Sequence, residues 1–205
     1  IYGMYNRTEN YQSDCSYISQ IKAFKDNVSI KSCLSYTFSV SNSQGTSLIK
    51  DRPFTAEMTR SIMLLKEKPY RPRMADYRIG VFFTGREQLG EGAKTTVPVY
   101  YANRWDIQPS DTAAYLRGEK VKPTKQIVFY IDNTFPEKWK PYLREGVTQW
   151  NELFEQIGFK DVVAAKDFPT DDPEFDPDNI KYSCVRYAPS SIENAMGPSW
   201  VDPRS

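Results

Sequence analysis

The sequence contains no histidine, which removes the commonest zinc ligand and the usual general base near neutral pH. Ser-His-Asp and Cys-His nucleophilic sites are thereby excluded, together with histidine metal centres. Chemistry by carboxylates alone stays open. Glu145, Glu152 and Glu155 fall on or near the polar side of a helical pattern and read as a solvated face, not a carboxylate active site. Asp132 follows a strand-like run, where α/β sheets bind ligands, but it equally suits the approach to a helix N-terminus, and capping is the reading adopted. The run PTDDPEFDPDN lacks the Asp/Asn-and-Gly spacing of an EF-hand and reads as an exposed acidic loop. Cys15, Cys33 and Cys184 have no CxxC spacing, and three cannot pair completely within one chain. They read as buried thiols, with a Cys15–Cys33 disulfide as the alternative. No catalytic and no metal-ligating residue is therefore assigned in this chain.

The balance of 27 Lys plus Arg against 26 Asp plus Glu gives no net field that would draw in nucleic acid. No apolar run approaches the roughly 20 residues that cross a bilayer as a helix. A length of 205 residues suffices for one large domain or two small ones.

The elements that would have to position any site fall into two textures, divided near residues 123–126. Before that point, runs rich in β-branched and aromatic residues (27–41, 54–67, 77–83 and 97–105) predict antiparallel strands joined by polar turns. Tyr17, Ile18, Ile21 and Phe24 recur at helical spacing and predict a short helix ahead of the first long strand. A second short helix follows Pro109, capped by Ser110 and ended by Gly118.

After the division the order becomes strand, long helix, strand, strand. The continuous apolar run Ile127–Ile131 predicts a central strand. Thr134 and Glu137 stand at capping-box spacing, and Trp139, Leu143, Val147, Trp150, Phe154 and Ile157 form one apolar stripe. With Pro141 interrupting the first turn, the main helix is expected from about Pro141 to Ile157, with Trp139 and Trp150 as core residues and Trp150 and Phe154 buried against the sheet. Asp161–Phe168 and Ile180–Pro189 are the two further strands. The fold class expected is α+β: a β-rich accessory domain over 1–122, then a strand-helix-strand-strand lobe over 123–205.

The run KQIVFYIDNTFPEKWKPYLREGVTQWNELFEQIGFKDVVAAKDFP, followed by YSCVRYAPSSIENAMGPSWVDPRS, resembles the large bacterial zinc-dependent metalloproteases with metzincin-like catalytic domains. Upstream, MLLKEKPYRPRMADYRIGVFFTGREQL and YANRWDIQPSDTAAYLRGEKVKP look like the end of the β-rich domain that precedes the protease domain there. Before about Phe54 only the texture is similar.

The resemblance implies the opening of a metzincin-like upper lobe, belonging to a zinc endopeptidase that acts on polypeptides and is exported to the periplasm, outer membrane or exterior. It implies zinc in the full-length parent and none in this fragment, because the motif HExxHxxGxxH lies downstream of the turn in which this chain ends. Two histidines four apart share one helix face there, with the intervening Glu activating water. It further implies that Asn194, Ala195, Met196, Gly197, Pro198 and Ser199 form an exposed edge strand to which a peptide substrate adds. An ordinary surface loop is the alternative for these six. For the whole chain the alternative is a non-catalytic β-rich module that binds peptide or glycan.

Overall fold

The computed structural model describes residues 5–67, 69, 71–90, 92, 94–190 and 194–204. The chain divides into two compact units, Ile1–Leu64 with Asp176–Lys181, and Leu65–Phe175 with Tyr182–Ser205. The first is almost wholly strand, whereas the second mixes short strands with helices, which occur only there among the described residues.

The first unit is one antiparallel sheet of order β1-β2-β3, with β1 Tyr5–Ala23, β2 Asn27–Asn42 and β3 Ser47–Met63. The central strand alternates Val28, Ile30, Leu34, Tyr36, Phe38 and Val40 with Ser29, Lys31, Cys33, Ser35, Thr37 and Ser39. Period-two alternation of this kind sends all apolar side chains to one face. Between β2 and β3, Asn42 Oδ1 accepts from Gln44 N and Thr46 N, and Gly45 supplies the positive φ of 82° that the turn requires.

The short helix expected around Tyr17 is instead part of β1. Tyr17 pairs with Cys33, Ile18 with Ser32 and Ile21 with Ile30. The register slips between Gln12 and Tyr17 and again between Ile18 and Gln20. An extra residue at Ser19 returns Ile18 and Ile21 to one face although they stand three apart, so a bulged strand carries the spacing of a helix turn.

Residues 176–181 close on the polar face of this sheet. Asn27 Nδ2 donates to the carbonyl of Asp178 at 2.9 Å, and Ile180 N donates to Asn27 Oδ1 at 3.1 Å. Lys22 Nζ lies 2.9 Å from Asp176 and 2.8 Å from Asp178. Two carboxylates of the acidic loop are thus partners of a lysine, not solvated charges.

The second unit begins with a hairpin of β4 Phe83–Leu89 and β5 Thr96–Ala102. The strand expected over 77–83 starts only at its last residue, because the preceding chain turns where Asp76 accepts from Arg78 N at 3.0 Å and Nε at 2.9 Å. Helix α1, Thr112–Leu116, is capped by Asp111, whose Oδ1 accepts from Ala114 N at 2.9 Å, and not by Ser110. Gly118 ends it at φ 84° as expected.

A parallel three-stranded sheet follows, of order β7-β6-β8, with β6 Ile127–Ile131 in the centre, β7 Val163–Asp167 and β8 Ser183–Val185. Between β6 and β7 stand α2 Lys140–Thr148 and α3 Asn151–Gln156, so the single helix expected from Pro141 to Ile157 is broken at 149–150. The capping box does not form. Thr134 N and Oγ donate to Asp132, Glu137 pairs with Lys140, and Trp139 holds the N-cap position without a side-chain bond.

The apolar stripe also divides. Val147 and Phe154 pack against the core of Ala114, Val121, Ile127, Phe159, Val162 and Val163. Trp139 and Trp150 do not, being 47% and 59% exposed, which corrects the expectation that both fill the core. The position facing the sheet at the start of α3 belongs to Asn151, which bonds to the main chain of Val163. The expected boundary at 122/123 falls inside this unit, where Ala114 and Val121 share one core with residues from β6 and β7.

Candidate functional site

The residues singled out for substrate binding follow β8 in the sequence, with 191–193 outside the described residues, so the site is built from the β8 edge. β6 and β8 run parallel, and Asp132 N extends their pairing by donating to Val185 O at 3.0 Å. The Asp132 carboxylate then joins three main-chain and side-chain groups. Oδ1 accepts from Thr134 N at 2.9 Å and Thr134 Oγ at 2.8 Å, and Oδ2 accepts from Tyr187 N at 3.4 Å. Burial alone would raise its pKa, but the bonds from Thr134 and Tyr187, aided by the charge of Arg186, lower it. Asp132 is a turn cap and clamps the chain leaving β8.

Aromatic packing continues the clamp. The Tyr187 ring lies 5.1 Å from Phe135 and 6.5 Å, edge-on, from Trp139. Residues 194–199 follow. All six are exposed, none belongs to a strand, and Met196 is the most open large side chain among them. A Cβ built on Gly197 would meet nothing within 4 Å. The segment is exposed irregular chain and pairs with no strand among the described residues.

Its far end is fixed by a compact ion pair. Asp202 Oδ1 accepts from Arg204 N and Nε, both at 2.9 Å, Oδ2 accepts from Arg204 Nη2 at 2.7 Å, and the same guanidinium donates to the carbonyl of Lys66. The Arg204 side-chain bonds, outweighing burial, hold the Asp202 carboxyl at a pKa of about 2. Asp202 and Pro203 turn the chain, and Arg204 locks that turn, a role no spacing in the sequence signalled.

No group of three or more His, Cys, Asp or Glu suited to a metal occurs among the described residues. With no histidine in the sequence either, the residues present do not fit a zinc site. Cys15, Cys33 and Cys184 form no disulfide among the described residues: Cys15 is exposed, which corrects its reading as a buried thiol, while Cys33 and Cys184 are half-buried. The Tyr17 hydroxyl is held to a raised pKa, first by a hydrogen bond with the Cys33 side chain. Glu155 pairs with Lys120 at 2.6 Å, and Glu145 and Glu152 are exposed, so the helical acids assemble no acid-base pair. No helix is long and apolar enough to cross a membrane among the described residues.

These features define a β-rich protein of mixed α and β structure, with antiparallel sheets and a smaller parallel one. The chain belongs to the family described as Domain of unknown function (DUF5117), whose model matches residues 3–110. Neither the comparison with curated proteins nor that with solved structures gives a match.

Proposed function

We propose that this chain is a section of a zinc-dependent endopeptidase: a β-rich segment that precedes the catalytic domain, followed by the opening of a metzincin-like upper lobe. The observation that carries the reading is element order. Residues 127–185, the part of the sequence that most resembles those proteases, run as strand β6, helices α2 and α3, strand β7 and strand β8, with β6 central and all three strands parallel. The sequence of strand, helical segment, strand and strand supports the reading, with two helices where the resemblance calls for one long one.

On this reading the chain contributes scaffold and substrate contact, and the zinc ligands come from a HExxHxxGxxH helix outside the sequence. Residues 194–199 present main-chain groups to a polypeptide substrate, which adds as an antiparallel strand. The contacts of Asp132 with Tyr187 and of Asp202 with Arg204 lie on either side of that segment in the sequence. Export to the periplasm, outer membrane or exterior belongs to the same reading.

The test is to read the coding sequence beyond Ser205 and assay the longer polypeptide. A HExxHxxGxxH motif, with chelator-sensitive peptide hydrolysis that is lost when the motif Glu is replaced by Gln, is the expected result. A stop codon at that point, or hydrolysis indifferent to chelation and to the Glu replacement, overturns the proposal.

A further inference from the structure

The β1-β2-β3 sheet has one polar face and one apolar face, and the apolar one is open. Side chains on that face include Ile18, Ile21 and Ile62, which are 58%, 60% and 62% exposed, and Met58 at 44%. Tyr11, Tyr36 and Phe54 continue it as a cross-strand aromatic row, with ring centroids 5.4 and 5.3 Å apart. Among the described residues of this unit no helix or second sheet packs there. A three-stranded sheet gains independent stability by covering such a face.

We propose that the apolar face of β1-β2-β3 is an interface with a second copy of this chain, the two sheets packing face to face about a two-fold axis parallel to the strands. Two features select a second copy. The first is charge. Glu9, Phe38 and Arg52 form one cross-strand row, with Glu9 on β1 and Arg52 on β3. A two-fold axis along the strands exchanges β1 and β3 while keeping the row, so each Glu9 meets the partner's Arg52, twice per dimer. Glu9 Oε1 already takes Arg7 Nε at 2.6 Å, which leaves its other oxygen to face the partner.

The second feature is size. Thirteen residues of β2 at about 3.4 Å each and three strands about 4.8 Å apart give a footprint of roughly 40 by 14 Å per copy. Counted on both copies, that is about 1,100 Å² in plan before side-chain relief is added, close to the lower end of stable interfaces. Packing at the usual small angle between aligned sheets accommodates the twist. Arg60 is the one charge in the aliphatic half, and it turns its guanidinium onto Ser32 Oγ at 3.3 Å, leaving its methylene stem as cover.

The test uses the full 205-residue chain in sedimentation velocity over a concentration series, with circular dichroism to establish folding. A reversible dimer is expected. Met58→Glu should abolish it, whereas Thr59→Lys on the polar face should not change it. Glu9→Arg and Arg52→Glu should each weaken self-association by about tenfold or more, since each puts like charges in register twice. Mixing those two variants should restore association, because every Arg then faces a Glu across the interface. A chain that stays monomeric throughout, a dimer indifferent to Met58→Glu, or a mixture no tighter than its separate variants overturns the proposal. In the last two cases the face belongs to another occupant.

Discussion

Asn151 and Val163 exchange two hydrogen bonds: the side-chain amide donates to the Val163 carbonyl at 2.8 Å, and its oxygen accepts from the Val163 N–H at 2.8 Å. Val163 is buried and opens β7, whose other side pairs with β6. One side chain of α3 thus satisfies the outward main-chain groups of an edge strand, where water would otherwise have to reach. Replacing Asn151 with Ala leaves a buried donor and acceptor unmade and should lower stability by about 2–3 kcal/mol. Urea unfolding followed by circular dichroism measures it, with Asn151→Asp retaining the acceptor and expected to lose less.

Trp150 and Phe154 should separate sharply on truncation. Trp150 is more than half exposed, so Trp150→Ala should cost no more than about 1 kcal/mol, whereas Phe154, packed on the core of β6 and β7, should cost about 2–3 kcal/mol. Thermal unfolding of the two variants beside the parent distinguishes them. Equal losses would mean that the indole is covered in solution.

That contrast marks what sequence could and could not convey. The run Ile127–Ile131 is apolar on both faces, and only a central covered strand needs that, so β6 was legible. Val147 and Phe154 have helical spacing, but so do Trp139 and Trp150, and hydrophobicity alone could not tell which set faces the sheet. The choice is made by Asn151, a polar residue whose bonds to Val163 are visible only in three dimensions. Bulges hid β1, since an inserted residue converts period two into apparent period three. The shared core of Ala114, Val121 and Phe159 was hidden too, because compositional texture changes at a point where packing does not. Of the candidate site, Asp202 followed by Pro203 carries turn chemistry in its residue types, while the Arg204 anchor depends on Lys66, far away in sequence.

Asp202 offers a direct reading of that anchor. Its carboxyl is held at a pKa of about 2, below the ordinary value of about 3.9. A depressed folded-state pKa contributes stability that is present above the ordinary value and lost as pH falls through the folded one, here between about pH 4 and 2. Carbon-detected NMR titration of the parent should give a midpoint near 2. In Arg204→Gln the midpoint should return toward the ordinary value, while Lys66→Ala, which keeps the carbonyl, should leave it in place.

Lys22 should hold the acidic loop through its pair of aspartates. The hydrogen bonds to Asp176 and then Asp178 raise its pKa, with burial opposing. A raised folded-state pKa contributes stability that is complete below the ordinary lysine value and lost as pH rises through the raised one, so the clamp is intact at neutral pH. Lys22→Met keeps the stem and removes the charge. It should accelerate proteolytic cleavage within residues 169–182 several-fold without altering the β4–β5 hairpin, as followed by mass spectrometry of early fragments.

The final expectation concerns residues 194–199 in the proposed full-length protease. If a substrate strand pairs with this segment, affinity comes from main-chain N–H and C=O groups, and the side chains are secondary. Met196 makes the distinction accessible, because it is 78% exposed and its replacement disturbs little packing. Met196→Ala removes the side chain and keeps the amide. Met196→Pro removes the donor and fixes φ near −65°, which an extended pairing segment tolerates poorly. In the zinc-loaded parent, Met196→Ala should stay within about twofold of the original kcat/KM, whereas Met196→Pro should lose tenfold or more, about 1.4 kcal/mol of transition-state stabilisation. Zinc content and melting temperature measured on both variants separate loss of pairing from loss of structure. Equal turnover by the two would leave residues 194–199 a surface loop, and the substrate edge would have to lie on another strand.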